Sequence, residues 1–125
     1  MKNGQPGKRH SILVCDDEEN VRESFSLILK DEFEVMQARD GAELLEKIKS
    51  HPPDLIILDL KMPGMSGPEA LKQIRHANRS IPVIITSAYK LPEEVKNLGI
   101  SGFIEKPFES KAVLKLVKEV LEAKK

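Results

Sequence analysis

Five short apolar runs, separated by segments with apolar residues at helical spacing, organise this 125-residue chain. The runs are SILVC at 11–15, FEVMQA at 33–38, DLIILD at 54–59, PVIIT at 82–86 and SGFIE at 101–105. Each is rich in Ile, Val or Phe, which suit a pleated and partly buried strand. Between them Phe25, Ile28 and Leu29, then Leu44, Leu45 and Ile48, then Ala70, Leu71 and Ile74 recur three or four residues apart, the spacing of one helix face. A last helix is predicted over about 109–123, with Val113, Leu116, Val117, Val120 and Leu121 on its apolar face. The segment from Ala88 to Gly99 leaves room for a shorter fourth helix, with Pro92 near its first position and Glu93 and Glu94 in its first turn.

Strict alternation of strand and helix requires a parallel sheet covered on both faces, and right-handed crossovers leave few orders for its strands. ILVC, LIIL and PVII are apolar throughout, as central strands are, whereas FEVMQ and GFIE carry Glu34, Gln37 and Glu105 and suit the edges. The order 2-1-3-4-5 satisfies both conditions. A chain of this length is one domain, here expected over 11–125 behind a disordered leader at 1–10 that is rich in Gly, Lys and Asn.

Charged residues punctuate the ends of these strands. Asp16 and Asp17 follow SILVC, Asp59 follows LIIL and Lys106 follows GFIE. In a parallel sheet all C-terminal strand ends open on one edge, and ligands bind where the strand order reverses, here between strands 1 and 3. Carboxylates gathered there repel one another by roughly 4 kcal/mol per pair at about 4 Å and an effective dielectric near 20. Their hard oxygen donors call for a cation such as Mg²⁺, with Lys106 as a fixed positive partner.

The remaining composition narrows the classes. Twenty basic and twenty acidic residues cancel, so no basic footprint for nucleic acid is present. The single cysteine, Cys15, lies within a strand and reads as a small core residue. No apolar run approaches the length of a membrane span, and MKNGQPGKRH has no signal-peptide character, so a soluble, cytoplasmic chain is expected. His10, His51 and His76 lack ligand spacing and are read as surface residues, and Gly64 and Gly67 as servants of a loop backbone.

ILVCDDE, LIILDLKMPGMSG, VIITSA and FIEKPF, in that order and spacing, give the chain from Ser11 to Ala123 a specific likeness. It resembles the receiver domain of two-component response regulators, particularly the free-standing receivers of phosphorelays and chemotaxis. The resemblance implies an α/β, flavodoxin-like (βα)5 doubly wound parallel sheet. It implies that Asp59 is a phosphoacceptor, that Asp17, Asp59 and the main-chain carbonyl of Lys61 bind Mg²⁺ directly, and that Asp16 acts through a water. Mn²⁺ would substitute. Ser87 would donate to the phosphoryl group and Lys106 would pair with it, with a cis peptide between Lys106 and Pro107. Ser87 and Phe103 would form the switch. Asn20, Val21, Ser24, Pro107 and Phe108 would form the partner surface, and Lys61 and Tyr89 would tune the lifetime of the phosphoryl group. The likeness has one gap: about three residues, nearly one helical turn, are missing between Ser87 and Lys106.

The chemistry supports these residue types on its own terms. Phosphoryl transfer needs a nucleophile, a divalent cation and donors to the equatorial oxygens. The expected function is therefore a single-domain response regulator, charged by a histidine kinase or a histidine phosphotransfer protein, with no external substrate of its own. With no output domain after Lys125, it would act through protein contacts or pass its phosphoryl group onward. The alternatives are a phosphorylation-independent binding module and a receiver fragment of a larger regulator. An aspartate-nucleophile phosphatase would carry DxD on strand 1, and a flavin carrier would avoid DDEEN beside a phosphate.

Overall fold

A computed structural model describes residues 9–77 and 80–123. Of the expected leader, residues 1–8 lie outside the described residues. The elements are β1 (Ser11–Cys15), α1 (Glu19–Leu29), β2 (Glu34–Ala38), α2 (Gly41–Ser50), β3 (Leu55–Asp59), α3 (Gly67–Ala77), β4 (Val83–Ser87), α4 (Glu93–Lys96), β5 (Gly102–Glu105) and α5 (Ser110–Ala123). The five strands form one parallel sheet in the order β2-β1-β3-β4-β5. Every apolar run seen in the sequence is a strand, β1 with the expected ends and the others with ends shifted by at most one residue.

Two apolar layers sandwich the sheet. One joins Leu13, Ile56, Leu58 and Ile85 to Leu44, Ile48, Leu71 and Ile74 of α2 and α3; the other joins Ile12, Ile57 and Ile84 to Phe25 and Leu29 of α1 and Val113 and Val117 of α5. Alternation of side chains along each strand divides the residues between these layers. β3 and β4 are buried at every position, whereas β2 and β5 carry exposed or half-buried ones, as edge strands do. Cys15 is buried in the first layer, and burial pushes its thiol up to about 12, so it is inert packing.

Local signals explain several element ends. Asp40 caps α2 by accepting from the Glu43 amide at 2.8 Å, and the Glu43 carboxylate accepts from the Arg39 amide at 2.8 Å. α4 is a single turn, with Pro92 as its N-cap rather than its first residue. Gly99, at φ +78, lies in the turn between α4 and β5. Gly67 is the first residue of α3, not a loop residue: a Cβ there would lie 2.6 Å from the Leu60 carbonyl oxygen. Gly64 does serve the loop, at φ +85. His10, His51 and His76 are all exposed.

Candidate functional site

β1 and β3 are adjacent and parallel, so the acids that end them emerge side by side at the C-terminal edge of the sheet. Carboxylate oxygens of Asp16, Asp17 and Asp59 all lie within 4.8 Å of one another. Asp16 and Asp59 are 1% and 6% exposed, and Asp17 is exposed. Lys106, just past β5, reaches across to donate to Asp16 Oδ2 at 3.0 Å and Asp59 Oδ1 at 3.2 Å. The Lys106–Pro107 peptide is cis.

One ammonium does not balance three carboxylates. Burial, reinforced by the Asp16 charge and opposed by Lys106, pushes the Asp59 carboxyl from 3.8 up to about 6. Burial alone would lower the Lys106 ammonium, but its hydrogen bonds and attraction to Asp16 and Asp59 outweigh this and hold it above its ordinary value. The surplus of buried negative charge and the all-oxygen donor set fit a hard divalent cation, with Asp16, Asp17 and Asp59 able to hold it.

Asp16 is fixed at every polar atom. Its amide donates to the Ala38 carbonyl at 3.1 Å, and its Oδ1 accepts from the Glu18 amide at 2.9 Å. Its carbonyl accepts from Arg22 Nη1 at 2.8 Å, and its Oδ2 from Lys106. Nothing in the sequence marks Arg22 as part of the site. Its partner Gln37 is 15 residues away on β2, and only the packing of α1 against that strand brings them together.

Ser87 ends β4 and is 3% exposed; its hydroxyl oxygen accepts from the Tyr89 amide at 2.9 Å, and its carbonyl accepts from the Lys106 amide at 2.8 Å. Phe103 is half-buried on β5, packed against the layer that contains α4's Val95. Lys61 places its ammonium 4.4 Å from the centre of the Tyr89 ring, so two loops touch through a cation–π contact. Tyr89 is 62% exposed. Asn20 and Ser24 are exposed on α1, Pro107 is exposed, and Val21 and Phe108 are half-buried in the α1–α5 layer. Phe108 stacks on Phe25 with ring centres 4.3 Å apart, which joins the loop after β5 to α1.

Comparison with known proteins agrees with this geometry. The family model "Response regulator receiver domain" matches residues 12–118. Response regulator RR06 of Streptococcus pneumoniae is 39% identical over 115 residues, covering 89% of this chain and 52% of that protein. The chain thus spans about half the length of that relative. Chemotaxis protein CheY of Bacillus subtilis is 35% identical over 117 residues, covering 90% of this chain and 98% of that protein. Among solved structures, Vibrio cholerae chemotaxis protein CheY4 superposes with a TM-score of 0.85 at 32% identity, covering 90% of this chain and 99% of that one. The acidic cluster at the ends of β1 and β3, the lysine that bridges it and the matched sequence together place this chain in the response regulator receiver domain family.

Proposed function

We propose that this receiver accepts a phosphoryl group on Asp59 from a phosphohistidine of a histidine kinase or a histidine phosphotransfer protein. The carboxylate oxygen forms the new bond to phosphorus as the bond to the histidine nitrogen breaks. The observation that carries this reading is the convergence of Asp16 and Asp17 on Asp59 with Lys106 already bonded to it. Asp17 and Asp59, with the Lys61 carbonyl, would hold Mg²⁺ directly, and Asp16 through a water; Mn²⁺ would serve in its place. When bound, the ion supplies positive charge that offsets the charge of the transferred group. Lys106 donates to an oxygen of that group, and Ser87 supplies a hydroxyl. The receiver turns over no external substrate.

The phosphorylated state adds charge at one edge of the sheet, and a hydroxyl drawn toward it shifts Ser87 relative to Phe103. Partner recognition is assigned to Asn20, Val21, Ser24, Pro107 and Phe108, a reading supported by the stacking of Phe108 on Phe25, which joins the loop after β5 to α1. Because Val21 is only half-buried, Val21→Ala should cost less than the roughly 2 kcal/mol of a core truncation. Lys61 and Tyr89 would shield the line of attack by water on phosphorus, supported by their mutual contact. The phosphoryl group should then be long-lived, and Lys61→Asn combined with Tyr89→Ala should hasten its loss. The unit that does this is residues 11–125, acting in the cytoplasm.

Intact mass after treatment with acetyl phosphate tests the reading. One phosphoryl group is expected with Mg²⁺ present, little after chelation, and none on Asp59→Asn. Equal labelling of Asp59→Asn would remove Asp59 from its role.

A further inference from the structure

We infer that Arg22 is a positioning residue for the metal site, and that Gln37 holds it in place; the inference rests on the phosphoacceptor reading above. Asp17 is exposed, yet it must place a carboxylate beside two buried ones. What orients it is the peptide unit it shares with Asp16. That unit is rigid and planar, so fixing the Asp16 carbonyl oxygen also fixes the direction of the Asp17 amide and the position of its Cα. Arg22 Nη1 grips that oxygen at 2.8 Å.

A long side chain can grip only if it is itself held. Arg22 Nε donates to Gln37 Oε1 at 3.0 Å, and the Gln37 amide nitrogen donates to Ser26 Oγ at 3.0 Å and Glu23 Oε1 at 3.3 Å. Gln37 is on edge strand β2, whose register with β1 pairs it with Val14, two residues before Asp16. The chain of contacts therefore runs from β2 through one planar guanidinium to the peptide between the two acids. The fork geometry of arginine permits both bonds at once, which a lysine ammonium on a flexible stem would not hold in the same alignment.

Charge and position make opposite demands here. Arg22 adds a positive charge near a cation site, so on Coulombic grounds its removal should tighten metal binding. If its task is to set the Asp16–Asp17 peptide, removal should weaken binding, as loss of a residue supporting metal ligands commonly does by about 10–100-fold.

The test is Mn²⁺ titration followed by electron paramagnetic resonance, with a thermal melt of each variant. Arg22→Met is expected to weaken Mn²⁺ binding by about tenfold. Gln37→Leu should weaken it less and add nothing in the Arg22→Met background. Arg75 is the control for lost stability. It makes the same type of clamp away from the acids, to the carbonyls of Ile81 at 2.7 Å and Gly99 at 3.1 Å. Arg75→Met should lower the melting temperature without changing Mn²⁺ affinity. Unchanged or tighter binding by Arg22→Met overturns the inference alone, as does equal weakening by Arg75→Met. A wild type that binds no Mn²⁺ overturns the metal-dependent reading and the inference with it.

Discussion

Asp16 at the end of β1 and Ser87 at the end of β4 stand at the same edge of the sheet, but they are held in different ways. All four polar groups of Asp16 are bonded, to Ala38, Arg22, Glu18 and Lys106. Two of those partners lie far along the chain, and α1, which follows, buries Phe25 and Leu29. Among the described residues the Ser87 hydroxyl is bonded only to the amide two residues on, and the helix that follows is one turn with a single buried side chain, Val95. The acids are thus located by tertiary structure, the hydroxyl by a local turn. A local hydrogen bond of net value about 1 kcal/mol is easily exchanged for another. On the phosphoacceptor reading, the acidic half of the site is built to stay, and the β4 half is the one a phosphoryl group would reset.

The largest test of that contrast is Lys106→Met. It leaves Asp16 and Asp59 buried without their ammonium, and removing one partner from such a group costs about 3 kcal/mol. Chemical denaturation in metal-free buffer at neutral pH should show a loss of that size, reduced by added Mg²⁺. A loss no larger than that of an exposed lysine would mean that the acidic half is not held as described.

Asp59→Asn should have the opposite sign. Its carboxyl is raised in the folded protein, from 3.8 to about 6, so its contribution to stability is fully present below about pH 4 and is lost as pH rises through about 6. At pH 7 and without metal the wild type has given up about 3 kcal/mol that the neutral amide does not lose. The stability gain of Asp59→Asn should therefore grow between pH 4 and 7 and vanish below that window. A gain that is independent of pH would exclude charge burial as its cause.

Ser87→Ala should have the smallest effect, about 1 kcal/mol or less. Amide hydrogen exchange should quicken at Tyr89 and through α4, while the amides of β1 and α1 keep their protection. Equal quickening at both strand ends would abolish the distinction between them.

Much of this arrangement is visible in the sequence because it depends on strand ends. A run such as LIIL followed by Asp59 specifies both a buried strand and an acid at its C-terminal edge, whatever the packing. The polar residues of FEVMQ and GFIE likewise mark β2 and β5 as edges. The shortened segment from Ala88 to Gly99 predicts a helix of at most about two turns, and α4 is one turn. Asp40 and Glu43 carry a readable capping signal, D-x-x-E, at the start of α2. Arg22 offered no such signal. Its grip on Asp16 depends on how α1 lies against β2, and helix pose is a property of packed side chains rather than of spacing along the chain. The Lys61–Tyr89 contact escaped for the same reason, since it joins two loops after different strands.

The most direct measurement is the location of the phosphoryl group. Protein treated with acetyl phosphate and Mg²⁺ can be reduced with borohydride, which converts an aspartyl phosphate to homoserine, and then sequenced by tandem mass spectrometry. The phosphoacceptor reading predicts homoserine at position 59, and none there when Mg²⁺ is withheld. Conversion at Asp16 or Asp17 instead, or no conversion in protein shown to bind the metal, would contradict it.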